Sequence, residues 1–224
     1  MNLQLTITNS IIESFFRFTC RVDDSQLARI PEKGPLILLG NHINFLEAPL
    51  MATILAPRPL TTLAKEETWR NPFLAYLGNL WGAIPIRRGE VDLKAFRRAE
   101  EALAAGKILA VAPEGTRSGN GGLQKGRSGV VLLAVKSGVP VLPAVWYGHE
   151  GYWRNLSTFR RTDFKIVVGK PFRVNNRGQP LSREVRELII TEMMYQLAVL
   201  LPPQYRGCYA DMGAMTVRYL DFLN

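Results

Sequence analysis

The chain has 224 residues, enough for one α/β domain with a sizeable core and too few to require two. Apolar residues make up 47% and charged residues 21%, as in an ordinary globular protein, and no run of 18 or more apolar residues suggests a membrane-spanning helix. With 28 basic against 19 acidic residues the net charge is +9, which implies an anionic partner: a membrane surface or a charged metabolite, and not nucleic acid, because no basic run is interleaved with aromatics.

Residues 1–21 crowd Ile11, Ile12, Phe15, Phe16 and Phe18 into a short helix that Asn9 or Ser10 is placed to cap. Helical spacing puts Ile12, Phe15 and Phe16 on one face, which either packs on the core or lies in a bilayer interface. From Gly34 onward, strand-like and helix-like stretches alternate. Strands are predicted near 35–40, 59–64, 83–86, 107–112, 140–146 and 164–169. Helices are predicted near 48–56, 72–79, 92–105, 127–137 and 183–200. Pro72 opens one helix, Gly106 and Gly138 close two others, and Pro202-Pro203 ends the last. The alternation predicts a single α/β domain with a largely parallel mixed sheet flanked by helices. Residues 1–30 are read as an amphipathic N-terminal segment that contacts the membrane, and 31–224 as the domain proper. Cys20 and Cys208 make no disulfide framework, and no basic residue precedes Arg17 to form a signal peptide, so a reducing cytoplasmic setting is expected.

Reactive residues recur where the apolar runs end. PLILLG runs into Asn41-His42, PLTTLA into Lys65, GAIPI into Arg87-Arg88, and KILAVA into Pro113-Glu114-Gly115-Thr116-Arg117. Ligands of parallel α/β sheets bind beyond the carboxyl ends of the strands, so neighbouring strands would bring one imidazole, several cations and a carboxylate into one pocket. Such a set binds an anionic substrate and removes a proton beside it. Glu47 lies five residues after His42 at a helix start, where a turn folds its carboxylate onto one imidazole nitrogen and leaves the other to accept a proton. Glycine at 115 permits close backbone approach, Thr116 offers a hydroxyl, and Arg117 a fork suited to phosphate. The only other histidine, His149, is read as structural.

These blocks resemble the signature of the glycerolipid acyltransferase superfamily, whose type members acylate 1-acylglycerol 3-phosphate. Its first block, a histidine, four residues and an aspartate, is matched by His42 and, imperfectly, Glu47. The second resembles Ala83-Ile84-Pro85-Ile86-Arg87-Arg88. The third is close to verbatim as Pro113-Glu114-Gly115-Thr116-Arg117-Ser118, and the fourth resembles Val139-Pro140-Val141-Leu142-Pro143-Ala144. The likeness spans about 35–148. It implies a glycerol-phosphate-acyltransferase-like fold and direct attack of an acceptor hydroxyl on an acyl thioester, with no metal and no cofactor beyond the donor, acyl-CoA or acyl-ACP. His42 would be the base and Glu47 its orienter. Lys65, Arg87 and Arg117 would hold the acceptor phosphate, Glu114 would position the acceptor, and amides near Gly115 would stabilise the oxyanion. A phosphate-bearing lysolipid, most directly 1-acylglycerol 3-phosphate, is the expected acceptor, with glycerol 3-phosphate or another lysolipid as alternatives. The protein would sit peripherally on the anionic inner face of the membrane. Glutamate reaches about 1.3 Å further than the family's aspartate, and aspartate at 47 is expected to keep substantial activity.

Three rivals are weaker. The stretch 121–128 is one residue from a phosphate-binding loop, with Arg127 in place of lysine, but follows no strand directly. A metal hydrolase lacks a second histidine at ligand spacing. A non-catalytic module that binds anionic membranes leaves the histidine–carboxylate pair unexplained.

Overall fold

The computed structural model describes residues 3–87 and 92–223. The chain opens with α1 (Leu3–Thr19), a helix that starts well before the expected cap. Asn9 is therefore buried mid-helix, where its side-chain oxygen accepts from the Trp81 indole at 2.9 Å, and caps nothing. Ile12 and Phe16 pack on the core, one turn apart. Phe15 instead joins Leu3, Ile7 and Ile11 in a stripe at four-residue spacing that is half or more exposed, with Phe18 beside it. This corrects the expectation that Phe15 shares the inward face. Residues 20–30 add β1 (Cys20–Asp23), an edge strand whose apolar run Arg21 breaks in the sequence.

The next strand, β2 (Leu36–Gly40), is buried on both faces: Leu36 and Leu38 point into one core, Ile37 and Leu39 into the other. After it come α2 (Glu47–Ile54), β3 (Leu60–Lys65), α3 (Pro72–Leu80), β4 (Ile84–Ile86), α4 (Leu93–Ala104), β5 (Ile108–Val111), α5 (Gly129–Ser137) and β6 (Val141–Tyr147). Asn71 and Asp92 cap α3 and α4 through their side chains, and Gly138 ends α5 in the left-handed conformation. The remainder is α6 (Tyr152–Ser157), β7 (Thr162–Val168), β8 (Phe172–Val174), α7 (Arg183–Leu200) and β9 (Leu220–Phe222).

The strands form one mixed sheet in the order β1-β7-β6-β2-β5-β3-β4, with β8 and β9 extending from β6. From β6 to β4 every pairing is parallel; β7 and β8 run antiparallel to β6. The largely parallel α/β sheet expected from the sequence is thus present. The helices α4, α5 and α7 pack on one face, with α1, α2 and α6 on the other. The four strands whose ends carry the reactive residues are immediate neighbours, β2-β5-β3-β4, so their tails emerge along one edge of the sheet. No helix among the described residues is long and apolar enough to cross a membrane.

Candidate active site

The site begins where β2 ends. Asn41 is buried and exchanges three hydrogen bonds with Trp146 on β6: its amide donates to the Trp146 carbonyl, and the Trp146 amide and indole donate back. The indole lies over Gly40, where any side chain would collide with it, so this glycine is demanded by close approach. The chain then turns, and His42 emerges with its side chain about one-fifth exposed.

Glu47, at the first turn of α2, folds back beneath that turn. Its Oε2 meets His42 Nδ1 at 3.1 Å. Its Oε1 accepts from the amides of Ile43 (2.9 Å) and Asn44 (2.7 Å) and lies 2.8 Å from Nε2 of His149. Burial pushes the Glu47 carboxyl up, but the hydrogen bonds from His149 and His42 outweigh it and hold the group down at about 2. Glu47 is therefore a buried carboxylate at neutral pH. Its Oε2 faces His42 Nδ1, and Nε2 of that ring has no hydrogen-bond partner among the described residues.

The loop after β5 closes against the same turn. Glu114 is buried; its Oε1 accepts from the His42 amide at 2.8 Å and its Oε2 from the Gln124 amide at 2.9 Å. Its carboxyl thus joins two loops from within. Burial is the main cause that raises Glu114 to about 7, against those two hydrogen bonds. The Ser118 and Gly119 amides donate to the carbonyls of His42 and Ile43, tying the loops again. Gly115 has φ +68° and donates its amide to Ala112, so that N–H is spent in a turn and cannot serve an oxyanion. Thr116 and Arg117 are exposed at the tip of the loop.

Lys65 ends β3 in register with Ile86 of β4, and Arg87 follows directly, so the two basic residues project from adjacent strand ends. Both are exposed, and Arg87 pairs with Glu66 at 2.9 Å. Arg88 lies outside the described residues. The 121–128 stretch is irregular, and its amides at Gly121, Gly122, Leu123, Gln124, Gly126 and Arg127 all donate to protein acceptors, leaving no cradle for a phosphate.

The residue missed by sequence reading is His149. It is fully buried, two residues beyond β6, and sits 102 positions from the carboxylate it contacts. The strand-end pattern that found the other residues also marks it, because β6 is the parallel neighbour of β2.

An imidazole on an ionised carboxylate at one strand end, with a Pro-Glu-Gly-Thr-Arg loop bonded to its backbone at the next, agrees with the sequence model of the family described as Acyltransferase, which matches residues 21–147. The chain belongs to this acyltransferase family. Among its relatives, a 1-acyl-sn-glycerol-3-phosphate acyltransferase of Borreliella burgdorferi is 29% identical over 55% of this chain and 50% of its own length. A lyso-ornithine lipid O-acyltransferase of Pseudomonas aeruginosa is 31% identical over 53% of the chain and 46% of its own. A 1-acyl-sn-glycerol-3-phosphate acyltransferase of the same organism is 27% identical and aligns over 85% of the chain and 74% of its own. The chain thus spans about half the length of the first two. The crystal structure of the LPA acyltransferase PlsC from Thermotoga maritima shares the fold, with a TM-score of 0.62 and 23% identity over 88% of this chain and 77% of that one.

Proposed function

We propose that this acyltransferase moves a fatty acyl group from an acyl thioester to the hydroxyl of a lysophospholipid, most directly 1-acylglycerol 3-phosphate, giving phosphatidate. The observation that carries this reading is the half-buried imidazole backed by a buried carboxylate, with its outer nitrogen unpartnered. His42 Nε2 takes the proton of the acceptor hydroxyl as its oxygen attacks the thioester carbonyl. The carbon–sulfur bond then breaks, and His42 returns the proton to the departing thiolate. Glu47 stays ionised throughout and stabilises the imidazolium. Lys65, Arg87 and Arg117, exposed on three neighbouring strand ends, supply positive charge for the acceptor phosphate or for an anionic donor such as acyl-CoA or acyl-ACP.

A second acceptor class is favoured by the likeness to the lyso-ornithine lipid O-acyltransferase, which is as similar to this chain as the phosphatidate-forming relatives are. The exposed stripe of Leu3, Ile7, Ile11 and Phe15 on α1 supports peripheral docking on a membrane. Phe73 and Leu74 on α3 extend it, and Tyr76 ties the two helices through Gln4 and Thr8.

Purified protein with acyl-CoA or acyl-ACP and a panel of lysolipids should release free thiol and yield the diacyl product. His42→Ala should lower turnover by about 10²–10⁴-fold with little change in the thermal transition; retained turnover in the folded variant rules out this mechanism. Binding to anionic vesicles should weaken with salt and with Ile7→Ser/Ile11→Ser; equal affinity for neutral and anionic vesicles rejects the electrostatic part.

A further inference from the structure

We propose that His149 is a positioning residue for the reaction, acting on His42 through Glu47, and that the site is built for glutamate at 47 rather than for the shorter aspartate. This rests on the reading of His42 as the base. The geometry of the carboxylate carries it. Oε1 receives three donors, the amides of Ile43 and Asn44 and Nε2 of His149, while the one donor on Oε2 is His42 Nδ1. Saturating one oxygen fixes the plane of the carboxylate and reserves the other for the catalytic imidazole. Backbone amides sit on the near side of the turn; His149 closes the far side, arriving from β6.

His149 is itself held in place. Its ring stacks on Phe164 with centroids 4.2 Å apart, and its carbonyl accepts from the Asn44 side chain at 3.0 Å, so the two strand ends are stitched by backbone as well as side chain. Its Nδ1 is buried and has no hydrogen-bond partner among the described residues. A proton there would be stranded, so the ring carries its proton on Nε2 and donates it to Glu47. For packing alone, an apolar side chain on Phe164 would do as well and would bury no orphaned nitrogen. The imidazole is explained by the hydrogen bond it makes. An aspartate at 47, shorter by about 1.3 Å, cannot span from His42 to His149 while keeping both backbone amides. On this reading aspartate at 47 loses activity that the expectation from the sequence let it keep.

The test uses the two-histidine composition of the chain, because ring-¹⁵N histidine labelling gives only two imidazoles to read. In the native protein His42 should show the Nδ1–H tautomer and His149 the Nε2–H tautomer. His149→Leu, similar in volume but without a donor, should lower kcat by about tenfold or more with acceptor KM unchanged, and should turn His42 into a tautomer mixture. His149→Gln, whose amide nitrogen reaches about where Nε2 stands, should restore most of both. Glu47→Asp, which leaves the Phe164 stack intact, should give the same signature even if His149→Leu fails to fold. Unaltered kcat and an unaltered His42 tautomer in either folded variant overturn the proposal. If the native protein acylates no lysolipid and the His42 tautomer still depends on His149, the acyl-transfer reading fails while the positioning role stands.

Discussion

Glu47 and Glu114 are two buried carboxyls at the ends of adjacent parallel strands, and each accepts two backbone amides. Their proton affinities nevertheless move in opposite directions, Glu47 down to about 2 and Glu114 up to about 7. Burial pushes both upward. What separates them is that Glu47 also bonds to two imidazoles, whereas Glu114 accepts from backbone alone and lies near the Glu47 charge, which raises it further. Two amides do not offset desolvation; two further side-chain donors do. The two groups differ in what they join: Glu47 links two imidazoles to the turn after β2, and Glu114 links two loops.

The sharpest way to break this division is to remove each charge in turn. Glu47→Gln should lower kcat by about 10²–10⁴-fold with a modest fall in thermal stability, whereas Glu114→Gln should leave kcat within about threefold of native. Steady-state kinetics on both folded variants decides it, and equal losses would erase the distinction.

The pH dependence of stability sharpens it further. Glu114 is raised from 4.5 in the unfolded chain to about 7, so its contribution is fully present below 4.5 and lost as pH rises through 7. At about 1.4 kcal/mol per unit, the span is worth up to about 3 kcal/mol. Glu47 is depressed from 4.5 to about 2, so its contribution is present above 4.5 and lost as pH falls toward 2. Urea unfolding between pH 5 and 8 should show a loss of stability that Glu114→Gln removes. An identical slope in the variant would mean that another group titrates there.

A smaller effect is expected at Arg117, three residues past Glu114 on the same loop but exposed. Arg117→Ala should raise the KM for a phosphate-bearing acceptor about tenfold and leave stability unchanged, because its side chain is exposed while that of Glu114 is bonded between two loops. A raised donor KM with an unchanged acceptor KM would move Arg117 to the donor side.

Much of this site was legible along the chain. His42, Glu47 and the 113–118 block stand next to strand ends that hydrophobic patterning marks clearly, and the turn that folds Glu47 onto His42 is local. The short strands β1, β8 and β9 were not legible, since a charged residue (Arg21, Arg173 or Asp221) breaks the apolar run in each, unlike the equally short β4 and β5. The burial of Asn9 also escaped, because its partner Trp81, at the end of α3, lies 72 residues away in the chain. The burial of the Glu114 carboxyl was not legible either, because the direction of a side chain in a loop depends on which amides lie within reach. Those belong to His42 and Gln124, one of them 72 residues away.

By itself the sequence determined the alternating elements, the central apolar strands and the residue types at each strand end, because periodicity, proline and glycine placement and local turns act over a few positions. Only the tertiary structure decided what those ends do to one another. Pairing β2 with both β5 and β6 brings Glu114 and His149 to opposite sides of the His42 turn. Proton affinity follows from that packing: desolvation and donor count are set by neighbours distant in the chain, so two glutamates that look alike in sequence become a permanent anion and a group that titrates near neutrality.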